Sequence, residues 1–432
     1  MNQIPVGTLI ETTSGSKVKI LQFIGAGGQG QVYMVEYKGE KKALKWYRPG
    51  CFGKYEDDFY NNLLNNARKG SPDPAFLWPV EVTKKQNGSF GYIMELVPEN
   101  YHEFQEFLLA NVFFSSFKSA AETCIRVVSA FRILHNNGYC YQDMNCRNFL
   151  IDPDTGEVRI CDCDNIAPNG TKTFILGTPR FMAPEVVIGK TLPSTQTDRY
   201  SLAVILFMLL FVNHPLEGEK WLRNPCLTSA NELELYGKKP LFIYDPENAS
   251  NRPSPICHKA AIERWNCMPN YIKQAFIKAF SQEALHEPAH RMRELDWLKI
   301  LIRFQNDIVI CPKCGNEVFI TNLSGTVCDK CSEQLHFDNY IHVQDYAIPA
   351  ERGVRLYRCQ MGICNADNAL EPGLLIVSKG YDTKILGLRN ESGIDLIAFT
   401  PSGRKKIVKP GEIIPVRKGI LIQMYGGTIE IG

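Results

Sequence analysis

A turn with four glycines in six residues, Gly25-Ala26-Gly27-Gly28-Gln29-Gly30, interrupts a stretch that otherwise alternates apolar and polar side chains from Ser16 to Val35. Alternation rich in Val, Ile, Phe and Tyr is the period-two signature of strands, so this stretch is expected to fold as strand, glycine turn, strand. With no Cβ atoms in the way, backbone N–H groups of such a turn can approach phosphate oxygens. Alone, the turn constrains little, because glycine clusters also close hairpins that bind nothing. The constraint comes from the motifs downstream of it, in order: Ala43-Leu44-Lys45, then Asp143 with Asn148 five residues on, then Asp162, then Ala183-Pro184-Glu185.

Each member of the series has a bland reading. Lys45 lies in an expected strand, 42–46, where a lysine is either a snorkelling surface residue or a cation for phosphates. Loop aspartates such as Asp143 and Asp162 often only cap turns. Residues 118–138 show helical periodicity (Ala121, Cys124, Ile125, Val128, Phe131, Leu134) and lead into Tyr139-Cys140-Tyr141-Gln142-Asp143-Met144-Asn145-Cys146-Arg147-Asn148. The run Leu202–Val212 is too short to span a bilayer and is expected to be a buried helix.

The ordered set resembles the protein kinases over residues 10–305. The resemblance implies an α+β, bilobal kinase fold, with an N-lobe over about 10–97 and a C-lobe over about 98–305. It implies ATP held by Gly25, Ala26, Gly27, Gly28, Gln29 and Gly30, by Val32 and Ala43 against the base, and by Lys45 on the α- and β-phosphates. Tyr92-Ile93-Met94-Glu95-Leu96-Val97 resembles the strand entering the hinge, with Met94 behind the adenine and the backbones of Glu95 and Val97 on its edge. Asp143, Lys45, Asn148 and Asp162 would be catalytic, with Asn148 and Asp162 holding magnesium. Arg291 would form a buried ion pair with Glu185.

Several positions depart from the family pattern. Tyr141-Gln142 stands where His-Arg is usual, and Cys163-Asp164 where Phe-Gly is usual. The partner of Lys45 would come from a helix at 55–69, where Glu56 or Asp58 is the candidate. Asn145 replaces the lysine of serine/threonine kinases and Arg147 is placed as in tyrosine kinases, whereas Gly177-Thr178 resembles serine/threonine kinases. Serine/threonine substrates are expected. A nucleotide-binding pseudokinase acting as an interaction scaffold is the alternative. Gln142 cannot give the charge-assisted grip that an arginine there gives a phosphate, so activity is expected not to depend on phosphorylation of Thr171 or Thr173.

Beyond residue 305, Cys311-Pro312-Lys313-Cys314 and Cys328-Asp329-Lys330-Cys331 form two Cys-x-x-Cys knuckles. Four thiolates complete a tetrahedral shell, so Cys311, Cys314, Cys328 and Cys331 are expected to hold a structural zinc in a ribbon over 306–344, with Val318-Phe319-Ile320 as its hairpin strand. From 345 to 432, short strands at 373–378, 384–389, 395–400 and 419–425 predict a small all-β sandwich. The run Leu386–Gly393 loosely resembles a forkhead-associated domain, without a convincing phosphothreonine grip, and Cys359 and Cys364 read as buried thiols. This architecture resembles bacterial eukaryote-like kinases encoded beside a von Willebrand A-type protein and a metal-dependent phosphatase, which implies those two as partners.

Composition narrows the remaining classes. The net charge is +2, and acidic and basic residues balance from 305 onward, so neither nucleic acid nor an anionic membrane is an expected partner,. The 15 cysteines are scattered or paired at ligand spacing rather than laid out as a disulfide framework, which suits a reducing compartment,. No signal-peptide pattern is visible at the N-terminus, and a cytoplasmic location is expected.

Overall fold

The computed structural model describes residues 3–171, 177–224, 227–320, 325–365, 368–379 and 382–432. The chain divides into two units. The first comprises Met1–Phe114, Ile133–His258 and Ala279–Arg291; the second comprises Ser115–Arg132, Lys259–Lys278 and Met292–Gly432.

The first unit opens with an antiparallel sheet. Its strands are β1 (Leu9–Glu11), β2 (Lys17–Ala26), β3 (Gly30–Tyr37), β4 (Glu40–Tyr47), β5 (Glu81–Val82) and β6 (Gly91–Glu95), in the spatial order β1-β2-β3-β4-β6-β5. The alternation expected at 16–35 is thus a β2–β3 hairpin. Successive side chains leave opposite faces of a strand, so Leu44 and Trp46 pack with Val18, Ile20, Tyr33 and Val35 on one side. Ala43 and Tyr47 leave the other face and pack with Phe59 and Leu63 of α1 (Glu56–Lys69). Lys45, between them, leaves with Ala43 and Tyr47. Gly30 pairs with Tyr47, and a Cβ at Gly30 would lie 2.1 Å from the Trp46 carbonyl oxygen, so only glycine permits this strand contact.

The helix Thr195–Phe211 forms the core of the remainder of this unit. Ser194 and Thr197 cap its start reciprocally, and every residue from Tyr200 to Phe211 is buried. A helix apolar all round needs such an interior position. Phe207, Phe242 and Phe280 interlock there, with Phe242 stacked on Phe280 at 5.2 Å.

In the second unit, two short hairpins, Ile308–Ile310 with Glu317–Phe319 and Thr326–Val327 with Gln334–Leu335, carry the four paired cysteines. They are fastened to helical residues of the same unit. Glu317 accepts from the backbone N–H groups of Phe117 and Lys118 at 2.5 and 3.1 Å, capping the helix Phe117–Asn136. Acidic groups suit that end of a helix, where N–H groups lack partners. Phe319 packs between Phe117 and Phe304. Arg303, on the helix Glu294–Asn306, lies between the rings of Tyr271 and Tyr346, at 4.1 and 4.5 Å.

Two further sheets follow, of six and four strands. They share one core, including Ile341, Leu374, Leu388, Ile422 and Ile431, which makes them a sandwich. The four expected tail strands correspond to Pro372–Lys379, Asp382–Asn390, Leu396–Phe399 and Leu421–Met424. The first sandwich strand, Tyr340–Val343, pairs with the last, Gly427–Ile431, and so precedes the expected start at 345. Cys359 is buried, whereas Cys364 is partly exposed. Among the described residues no helix is long and apolar enough to cross a membrane.

Candidate active site

The glycine turn is closed by Gly27 N–H donating to the Gly30 carbonyl at 2.9 Å. Side-chain space at Gly25, Gly27 and Gly28 is open, so the backbone there is accessible. Arg48, just past β4, ties the turn down by donating to the carbonyls of Gly27 and Gln29 at 3.0 and 2.9 Å. Nothing in the residue spacing signals that tether. Ala26 ends β2 beside Gln31 of β3.

Val32, Ala43, Met94 and Val97 gather in one apolar cluster, joined by Leu96, Leu150 and Cys161. Leu150 belongs to the strand Phe149–Ile151, directly after the run that ends at Asn148, and carries no sequence signal of its own. Glu95 is exposed at the end of β6, where its carboxylate holds Lys42 at 2.7 and 2.9 Å.

Lys45 is buried, and its Nζ donates to Asp162 at 3.0 Å and to Asp164 at 2.7 Å. Burial alone would lower the pKa of this ammonium, but the charges of Asp164 and Asp162 reverse the balance and raise it,. The expected pairing with Glu56 or Asp58 is not what the structure contains. Glu56 pairs with Lys85 at 3.0 Å, and Asp58 is exposed. The reason is geometric: Glu56 and Asp58 lie in the first turn of α1, while Phe59, Leu63 and Asn66 form its buried stripe.

The backbone leading into Asp143 is held by a buried carboxylate. Asp198 accepts from the backbone N–H groups of Tyr141 and Gln142 at 2.6 and 3.1 Å and contacts His135 Nε2 at 3.1 Å. The Tyr141 hydroxyl donates to the Cys161 carbonyl, linking this loop to the Asp162 segment. Gln142 and Asp162 both take positive φ, 73° and 54°, a conformation that costs free energy and that surrounding contacts must enforce,. Asn148 is buried; its Nδ2 donates to the Asp143 carbonyl at 2.9 Å, while its own carbonyl accepts from Cys161 N–H at 2.9 Å.

Burial, followed by the charge of Asp162, raises the pKa of Asp143. Its Oδ1 accepts from the Thr178 hydroxyl at 3.4 Å. Arg147 is drawn to Gln105 at 2.6 Å. Beside them lies a cavity of about 570 Å³ lined by residues including Leu108, Asn145, Arg147, Thr178 and Phe181. Thr171 is exposed, and Thr173 falls outside the described residues. Lys45, Asp143, Asn148 and Asp162 therefore converge on one place, with Lys45 nearly a hundred residues or more from the other three along the chain.

The protein kinase domain family matches residues 18–253, just over half of the chain. The chain belongs to the protein kinase family. It is 26% identical to NUAK family SNF1-like kinase 2 of Rattus norvegicus over 213 residues, 43% of this chain and 31% of that protein. It is 25% identical to cGMP-dependent protein kinase 2 of Rattus norvegicus over 307 residues, 67% of this chain and 38% of that protein. Protein kinase C-like 2 of Schizosaccharomyces pombe is 35% identical over 105 residues, 23% of this chain and 10% of that protein. The chain thus spans well under half the length of these relatives.

A second cluster lies in the other unit. The sulfurs of Cys311, Cys314, Cys328 and Cys331 lie within 4.8 Å of one another, with Cys311–Cys331 and Cys314–Cys328 both at 3.6 Å. Four sulfurs about 2.3 Å from a tetrahedral zinc sit roughly 3.8 Å apart, so the quartet fits that ion. The two knuckles match: Gly315 N–H donates to the Cys311 carbonyl and Ser332 N–H to the Cys328 carbonyl, with positive φ at both Gly315 and Ser332.

Proposed function

We propose that the chain transfers the γ-phosphoryl group of ATP to serine and threonine hydroxyls of proteins. The observation that carries this reading is the convergence of Lys45, Asp143, Asn148 and Asp162 on one place.

Asp143 accepts the proton of the incoming hydroxyl and orients its oxygen. A carboxylate with a raised pKa is better matched to that task than an ordinary one,. Lys45 places a fixed positive charge where phosphate oxygens arrive, and the backbone of the Gly25–Gly30 turn closes over them. The side-chain oxygens of Asn148 and Asp162 are hard donors that suit magnesium. When bound, magnesium supplies the positive charge that offsets the charge developing on the transferred group. Val32, Ala43, Met94 and Val97 offer the apolar surface for the base, and the Glu95 and Val97 backbones its polar edge. The Thr178 bond to Asp143 supports the preference for serine and threonine, and the cavity beside Arg147 and Phe181 has room for a peptide. The four-cysteine site holds a structural zinc, since four sulfurs leave no open coordination position.

The test is radiolabel transfer from ATP to an added protein. Asp143→Ala is expected to lower it roughly 10²–10⁴-fold while nucleotide still binds. Transfer by the variant at the wild-type rate would remove Asp143 from the mechanism. A wild-type chain that binds nucleotide and transfers nothing would establish a pseudokinase scaffold instead.

A further inference from the structure

Behind Lys45 lies a buried carboxylate to which neither motif spacing nor family likeness gives a role. Asp164 is wholly buried, and its Oδ2 accepts from Lys45 Nζ at 2.7 Å and from the Tyr47 hydroxyl. A buried charge persists only where a counter-charge and hydrogen bonds compensate its desolvation. Lys45 and Tyr47 supply both, and being two apart on β4 they leave the same face of the sheet,. Tyr47 is itself fixed by Phe52 and Phe59, whose rings meet it edge-on at 4.9 and 5.4 Å.

The two carboxylates on Lys45 differ in access. The Asp162 side chain is 39% exposed and that of Asp164 is 0% exposed. An oxygen that receives a metal ion must be open, whereas one that only holds a lysine can be sealed. Helix α1 offers no competing carboxylate, since Glu56 and Asp57 are both drawn to Lys85 and Asp58 is exposed. The helix is tied to the Asp162 loop by neutral groups instead. Asn62 and Asn66 donate to the Ile166 carbonyl at 3.0 and 3.1 Å.

We propose that Asp164 is the residue that positions Lys45 for the nucleotide phosphates, that Tyr47 acts through Asp164, and that the carboxylates of α1 take no part. The proposal rests on the phosphoryl-transfer reading above and deepens it. Asp164 keeps Lys45 in place whether or not Asp162 is engaged elsewhere. Because the anchor sits on the Asp162 loop, the pairing of Lys45 needs no carboxylate from α1.

The test uses the full chain and the variants Asp164→Asn, Tyr47→Phe, their combination, Glu56→Gln and Asp58→Asn. Asp164→Asn is expected to lower kcat about tenfold or more, with KM for ATP unchanged or lower because a negative charge near the phosphates is gone. Tyr47→Phe, the milder change, is expected to lower kcat less and to add nothing to Asp164→Asn. Glu56→Gln and Asp58→Asn are expected to keep the wild-type rate. The pairing is also read without catalysis, from urea-unfolding midpoints: the costs of Lys45→Ala and Asp164→Asn are expected to be non-additive, and those of Lys45→Ala with Glu56→Gln or Asp58→Asn additive. Additive costs for Lys45→Ala and Asp164→Asn overturn the proposal. So does a kcat for Asp164→Asn within about twofold of wild type, or a tenfold loss in Glu56→Gln. A wild-type chain without phosphoryl transfer counts against the kinase reading, and the unfolding measurement then decides the pairing alone.

Discussion

Arg291 grips Glu185 with both terminal nitrogens, at 2.8 and 2.7 Å, across 106 residues of chain. Its Nη1 also donates to the Gln196 carbonyl and its Nε to the Ala284 carbonyl. The pair is nearly sealed from solvent, with side chains 2% and 8% exposed. Removing one partner leaves the other charged and buried, so Arg291→Met is expected to cost about 3–5 kcal/mol of stability. Glu185→Gln, which keeps a polar group for the guanidinium, should cost less. Denaturant midpoints for the two variants check this; equal, small costs would mean that solvent reaches the pair.

A different kind of variant addresses the segment before Glu185. Gln142 carries a neutral amide at the place next to Asp143, and it is buried at positive φ. Replacing Thr171 and Thr173 with alanine is therefore expected to leave phosphorylation of an added protein unchanged. A loss of tenfold or more, about 1.4 kcal/mol of transition-state stabilisation, would show that a phosphate on this segment is needed.

The four-cysteine cluster makes a prediction in metal content. Protein purified without chelator is expected to carry one zinc per chain by elemental analysis. Cys328→Ser is expected to lower that content and open the 308–335 hairpins to protease, because a hydroxyl is a poor substitute for a thiolate ligand at this ion. Zinc-free wild-type protein with intact hairpins would sink the assignment.

Asp307 gives stability a pH dependence of definite sign. Burial raises its pKa to about 6, against the lowering effects of the Tyr271 hydroxyl at 2.7 Å and of Arg303. The ordinary carboxyl value is about 3.9. The protonated form is thus favoured by folding, so this contribution is complete below about pH 4 and is lost as pH rises through about 6. The full difference is of order 3 kcal/mol. Asp307→Asn keeps an acceptor for Tyr271 and cannot ionise, so its stability relative to wild type should grow between pH 4 and pH 7. Unfolding midpoints that run parallel across that range would contradict this.

What could be read in the sequence was the chemistry arranged along the chain. Glycines that interrupt a strand, a lysine on the next strand, Asp143 five residues before Asn148, and two Cys-x-x-Cys pairs each declare themselves by type and spacing, because local backbone geometry requires them. The β2–β3 hairpin and the buried helix were legible for the same reason: period-two alternation and an uninterrupted apolar run each fit one environment. The partner of Lys45 was not legible. Glu56 and Asp58 are near it in sequence, yet their place in the first turn of α1 turns them toward Lys85 and solvent, while Asp164, 119 residues from Lys45, arrives through packing. Asp198 under the Tyr141–Gln142 backbone and Glu317 at the start of the helix Phe117–Asn136 are decided in the same way. A carboxylate carries no mark of which distant N–H or ammonium it will meet. That choice belongs to the tertiary structure, where the cost of burying a charge selects the one arrangement that pairs it.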